Sequence, residues 1–142
     1  MKILVATDGS KQALHAVQYA ADLVPQLRST TNTVTLISVH DDAGLRHAKA
    51  FVGSESVADY LRELSEKELA PAQELLDAAG IKHDMEICTG PVAQSIVDAG
   101  SKGKFDLIVL GSKGRSAVAD LLLGSVAQRV LATALQPVLL VK

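Results

Sequence analysis

The feature that most constrains this chain is the alternation of five short apolar runs with stretches of helical periodicity. The runs lie at residues 3–6, 34–39, 82–88, 107–110 and 138–141. Three of them (3–6, 107–110 and 138–141) are continuously apolar, the pattern of strands buried on both faces of a parallel sheet. The run at 82–88 alternates instead, with His83, Met85 and Ile87 against Asp84, Glu86 and Cys88, which predicts an edge strand. Between the first two runs, Leu14, Val17, Ala21 and Val24 recur at helical spacing, with Asp8 or Ser10 as N-cap and Pro25 near the end. Residues 54–79 carry Val57, Leu61, Leu64, Leu75 and Leu76 on a charged background, and Gly80 suits a helix end. Pro71 inside that stretch should kink or divide it. A third helix is expected to start at Pro91, with Val92, Ile96 and Val97 inward, and a fourth near Ser125, ending at about Ala134. Residues 41–53 form the one long irregular segment, read either as a mobile loop or as a short helical turn.

The resulting order, βαβαβαβαβ, implies right-handed crossovers. It predicts a single α/β domain over residues 1–142: an open, doubly wound, five-stranded parallel sheet with helices on both faces, Rossmann-like. A length of 142 residues suits one domain with a sizeable core. Because 48% of residues are hydrophobic but only 3% aromatic, that core must be built from Ala, Val, Leu and Ile.

Charge and cysteine content exclude several classes. The net charge is −2 and no run of Lys or Arg stands out, so the clustered basic footprint of a nucleic-acid binder is missing. No apolar stretch approaches the ~18 residues of a membrane helix. The first ten residues lack the pattern of a secretory leader. The single cysteine, Cys88, cannot form a disulfide within one chain, which fits a reducing, cytoplasmic setting.

The chemistry concentrates in residues 111–126. Gly111 follows the fourth apolar run, at the carboxyl end of a strand, where open α/β sheets place their ligands. Gly114 comes three residues later, then Gly124 and Ser125 at the start of the last helix. Glycine at 111 permits a sharp turn and close approach of a phosphate to backbone N–H groups. Gly114 permits a second unusual dihedral. The helix N-terminus at Gly124 and Ser125 offers free N–H groups and a positive dipole end to anions. Ser125 either donates to a phosphate or caps its own helix, and residues 125–128 read as a capping box. The spacing is neither a Walker A loop nor GxGxxG, and alone it is equally consistent with two ordinary turns and a capped helix.

The spacing also resembles the G-x2-G-x9-G-(S/T) pattern of ATP-binding members of the universal stress protein family, complete here as Gly111, Gly114, Gly124 and Ser125. The opening ILVATDGS, the segment VTLISVHDD and the closing QPVLLVK resemble the family's first, second and last strands, so the resemblance spans the chain. It implies that Asp8 lies near the ribose, with Ala6 and Thr7 along the same wall. Val39 would meet the adenine edge through its backbone, and Leu110 would pack near the base or sugar. Gly111, Lys113, Gly114, Gly124, Ser125 and Val126 would cradle the phosphates. The implied ligand is ATP, with Mg²⁺ as an accompanying ion and AMP or a cyclic nucleotide as alternatives. The implied assembly is a homodimer through the C-terminal strand. Ser38 departs from the pattern, standing where many relatives carry His.

Other candidates read more plainly. Asp41 and Asp42 fit a solvated turn better than a Mg²⁺ site. His15, His40, His47 and His83 lack ligand-like spacing, with His15 expected on a helix surface and His83 on an exposed strand face. Cys88 reads as a small buried residue. Arg115 and Arg129 read as solvated. No nucleophile–base pair emerges around Ser10, Ser112 or Ser125. The expected function is adenine-nucleotide binding as a stress or signalling switch, with at most slow ATP hydrolysis and no assigned catalytic residue. The alternative is a nucleotide-free interaction module.

Overall fold

The computed structural model describes residues 1–114 and 123–142. In chain order these form β1 (Lys2–Ala6), α1 (Lys11–Leu23), β2 (Thr33–His40), α2 (Arg46–Val52), α3 (Ser54–Ala78), β3 (His83–Thr89), α4 (Val92–Lys102), β4 (Leu107–Gly111), α5 (Ser125–Thr133) and β5 (Val138–Val141). The strands make one parallel sheet in the order β3-β2-β1-β4-β5. β1 is central: Leu4 pairs with Thr35 on one side and with Ile108 on the other.

Strand alternation explains the continuous apolar runs. Ile3 and Val5 point to one face with Val34, Leu36 and Val109, where α1 and α3 contribute Val17, Leu69 and Leu76. Leu4 and Ala6 point to the other with Ile37, Ile108 and Leu110, where α4 and α5 contribute Ile96, Val97 and Val130. Both faces are covered, so every position of β1 after Lys2 must be apolar. Each fully buried Leu, Ile or Val contributes about 1.5–3 kcal/mol. β3 is the predicted edge strand, with Met85 and Ile87 exposed.

The chain winds outward from β1 to β2 and β3, then returns through α4 to β4 on the other side of β1. That reversal opens a crevice at the carboxyl ends of β1 and β4, the usual ligand site of such sheets.

Some local expectations change. α3 runs unbroken for 25 residues, so Pro71 does not divide it. Pro71 faces solvent, while Leu69, Ala72 and Leu76 are fully buried and hold the helix to the sheet on both sides of it. Residues 41–53 hold a single 3₁₀ turn (Ala43–Leu45) followed by α2, in which no residue is buried. Of the two N-cap candidates for α1, Ser10 serves, its hydroxyl accepting from Ala13 N at 3.2 Å. The capping box at 125–128 does not form: Gly124 is the N-cap, and Gln128 Nε2 donates to the Leu123 carbonyl at 3.4 Å. α4 begins at Val92, with Pro91 as its cap.

Candidate functional site

The crevice is a pocket of about 350 Å³. All eleven residues selected from the sequence line it. Ala6, Thr7 and Asp8 come from the end of β1 and its turn, and Val39 from β2. Leu110 and Gly111 end β4, Lys113 and Gly114 follow, and Gly124, Ser125 and Val126 open α5.

The wall divides into two chemistries. Toward β2 it is mostly apolar, with Ile37, Val39, Val92 and Ile96 beside His40. Toward β4 and α5 it is polar, with Asp8, Lys113, Ser125 and the first turn of α5. Among the described residues no side chain caps that turn, and its first intrahelical bond runs from Gln128 N to Gly124 O, so the Ser125, Val126 and Ala127 N–H groups precede the bonded ladder. Such a terminus attracts anions. β1 separates β2 from β4, so the two ends of the pocket stand about 9.5 Å apart, two strand spacings.

Close approach accounts for the motif glycines. Positive φ among glycines is confined to Gly9, Gly53, Gly80 and Gly90, so the φ of Gly114 is not a left-handed one. A Cβ on Gly111 would stand 3.1 Å from the Gln12 backbone at the start of α1. A Cβ on Gly114 would stand 3.0 Å from Asp8 Oδ2, and one on Gly124 would stand 3.3 Å from Lys113 Cα. Gly124 N donates to the Ser112 carbonyl at 2.7 Å, which closes the two arms of the motif on each other. The β1 turn is braced similarly: Ser10 N donates to Asp8 Oδ1 at 2.9 Å, and Gly9 N donates to Thr7 Oγ1 at 3.2 Å.

Six further lining residues escaped sequence reasoning: Ala13, Ile37, His40, Val92, Ile96 and Ala127. The apolar ones carry the same periodicity as core positions, so only the tertiary fold distinguishes them. His40 was visible only as a histidine without ligand spacing. Its Nε2 lies 2.8 Å from Oε2 of Glu68, a buried carboxylate on α3 that no motif announces.

The remaining candidates among the described residues fall outside the pocket. Asp41 Oδ1 accepts from Ala43 N at 2.9 Å, and Asp42 pairs with Lys49, whose ammonium holds that carboxyl below its ordinary range. His15 is exposed as expected. His83 departs from expectation: it is 9% exposed, because its Nδ1 donates to the Ile81 carbonyl at 3.0 Å and the ring tucks beside Asp77 at the end of α3. Cys88 is half-buried rather than buried, and its thiol donates to Glu86 Oε1 at 3.5 Å. Burial, reinforced by Glu86, pushes that thiol up to about 11. Arg129 is exposed, and Arg115 lies outside the described residues. Among the described residues, no three His, Cys, Asp or Glu side chains gather as a metal site, and no helix is long and apolar enough to cross a membrane.

Comparison with known proteins fits this geometry. The model of the universal stress protein family matches residues 1–142. Universal stress protein MJ0531 of Methanocaldococcus jannaschii is 32% identical over 141 residues, covering 99% of this chain and 81% of that protein. A universal stress protein from Thermus aquaticus is 33% identical over 141 residues, covering 99% of this chain and 97% of its own length. Among solved structures, hypothetical protein MJ0577 superposes with a TM-score of 0.86 at 27% identity, covering 99% of this chain and 94% of that one. A universal stress protein in complex with cAMP superposes with a TM-score of 0.75 at 25% identity, covering 100% and 97%. By sequence over its whole length and by fold, this chain belongs to the universal stress protein family.

Proposed function

We propose that the chain binds an adenine nucleotide, ATP foremost, across the carboxyl ends of β2, β1 and β4. The observation that carries this reading is the pocket itself. An apolar slot at Ile37, Val39, Val92 and Ile96 suits a base, and an anion-attracting helix start at Gly124–Val126 suits phosphates. The cAMP complex of a 25% identical structure supports an adenine ligand in this fold. In this reading Asp8 meets the ribose, Val39 the adenine edge through its backbone, and Leu110 the base or sugar. Ala6 and Thr7 complete that wall. Gly111, Lys113, Gly114, Gly124, Ser125 and Val126 receive the phosphates, with Mg²⁺ as their accompanying ion. AMP and cyclic nucleotides are the competing ligands.

Residues 1–142 act here as one nucleotide-binding unit. Phosphate contacts on both arms of the glycine motif fix their separation and so select one state of the surface around them, a switch. The unit works as a homodimer through β5: Val138, Leu139 and Leu140 are only partly buried on this edge strand, and the nearby Leu135 is 88% exposed.

Calorimetric titration with ATP, AMP, cAMP and GTP tests the reading. Saturable binding of ATP, stronger than that of GTP, is expected. Absence of binding by the unmodified chain at millimolar ATP would leave the nucleotide-free interaction module in its place.

A further inference from the structure

Among the described residues, Glu68 is the buried charged side chain, at 6% exposure on α3. It does not line the pocket. Its Oε2 accepts from the Ser38 hydroxyl at 3.3 Å and pairs with His40 Nε2 at 2.8 Å. Its Cα, Cβ and Cγ pass 3.1–3.3 Å from the point where a Cβ on Gly9 would stand. One side chain therefore touches the ends of two pocket strands. Gly9 directly follows Asp8, and Ser38 and His40 flank Val39.

The alternation of β2 gives this contact its meaning. The Ser38 and His40 side chains reach Glu68 on α3, while Ile37 and Val39 pack with α4, where the apolar slot lies; His40, the last residue of β2, also lines the pocket. Glu68 thus grips the strand from behind while Val39 faces the pocket. Burying a carboxylate is costly, and an apolar side chain of similar volume packs a core as well or better. Packing alone therefore does not account for a carboxylate here. It hydrogen-bonds both residues that flank Val39, and its stem supports the turn that carries Asp8.

We infer that Glu68 is a positioning residue for the nucleotide pocket. It sets the separation between the Asp8 turn and the Val39 strand end without touching the ligand. The inference rests on the nucleotide-binding reading.

The test is ATP titration of the full chain, well below its Tm, for the unmodified protein, Glu68→Ala, Glu68→Gln and Ser38→Ala, together with amide hydrogen exchange. Glu68→Ala is expected to weaken ATP binding about tenfold, the scale of groups that orient a ligand's direct contacts. Glu68→Gln keeps an oxygen for Ser38 and His40 and should stay within about threefold of the unmodified chain. The Gly9 and Ser10 amides should exchange faster in Glu68→Ala while β4 amides keep their protection, a pattern that uniform loss of stability does not produce. Equal ATP affinity in Glu68→Ala, a uniform rise in exchange, or a Glu68→Gln chain as weak as Glu68→Ala would each overturn the role. Should Glu68→Ala fail to fold, Ser38→Ala carries the test: about threefold weaker binding supports the role, and unchanged binding refutes it. An unmodified chain that binds no ATP refutes the nucleotide reading itself. An unmodified chain that binds ATP no better than its Glu68→Ala variant refutes only the part assigned to Glu68.

Discussion

Asp8 Oδ2 lies 3.0 Å from the point where a Cβ on Gly114 would stand. The turn after β1 and the loop after β4 therefore meet across the pocket mouth, and a side chain at 114 would displace the Asp8 carboxylate.

Gly114→Val should weaken ATP binding at least about tenfold, or about 1.4 kcal/mol. Gly114 has no left-handed φ, so the fold itself should lose little stability. Titration calorimetry paired with thermal unfolding separates the two effects. A variant that binds normally contradicts the assigned contact.

Ser10 and Ser125 both open helices, but only Ser10 caps one. Ser10→Ala should cost about 1 kcal/mol of stability. Ser125→Ala should cost well under that and instead weaken nucleotide binding. Urea unfolding and ATP titration of both variants check the contrast, which fails if Ser125→Ala proves the more destabilising.

Gly9 has φ of +75°, and a Cβ there would press on Glu68. Gly9→Ala should lose about 1–3 kcal/mol, seen as a lower urea midpoint at unchanged slope.

Cys88 should alkylate slowly at neutral pH and faster as pH approaches 11, because burial keeps its thiol protonated up to about that value. The shift is upward from 9.0, so its contribution to stability is intact below pH 9 and is lost as pH rises from 9 to about 11. Alkylation rates of folded and urea-unfolded chain across that range are the check. Equal rates at pH 8 contradict it.

Much of the fold was legible because β1 and β4 are buried on both faces, which leaves a continuous apolar signature between helical patterns. The glycine motif was legible because its spacing follows one such strand. Three other features were not. Pro71 reads locally as a break, yet Leu69, Ala72 and Leu76 hold α3 together around it. Ser125 and Gln128 read as a capping box, yet the chain enters α5 through Gly124 in extended geometry, one residue too early for Ser125 to cap. Glu68 stands among exposed charges on α3, and only the tertiary packing of that helix against Gly9, Ser38 and His40 separates it from them.

An adenine nucleotide seated across the ends of β2, β1 and β4 would travel with the intact chain. Native mass spectrometry of the gently purified chain, before and after addition of millimolar ATP, detects it. The expected result is a mass increment of one adenine nucleotide per chain, sharply reduced in Gly114→Val. A chain that carries no nucleotide under either condition contradicts it.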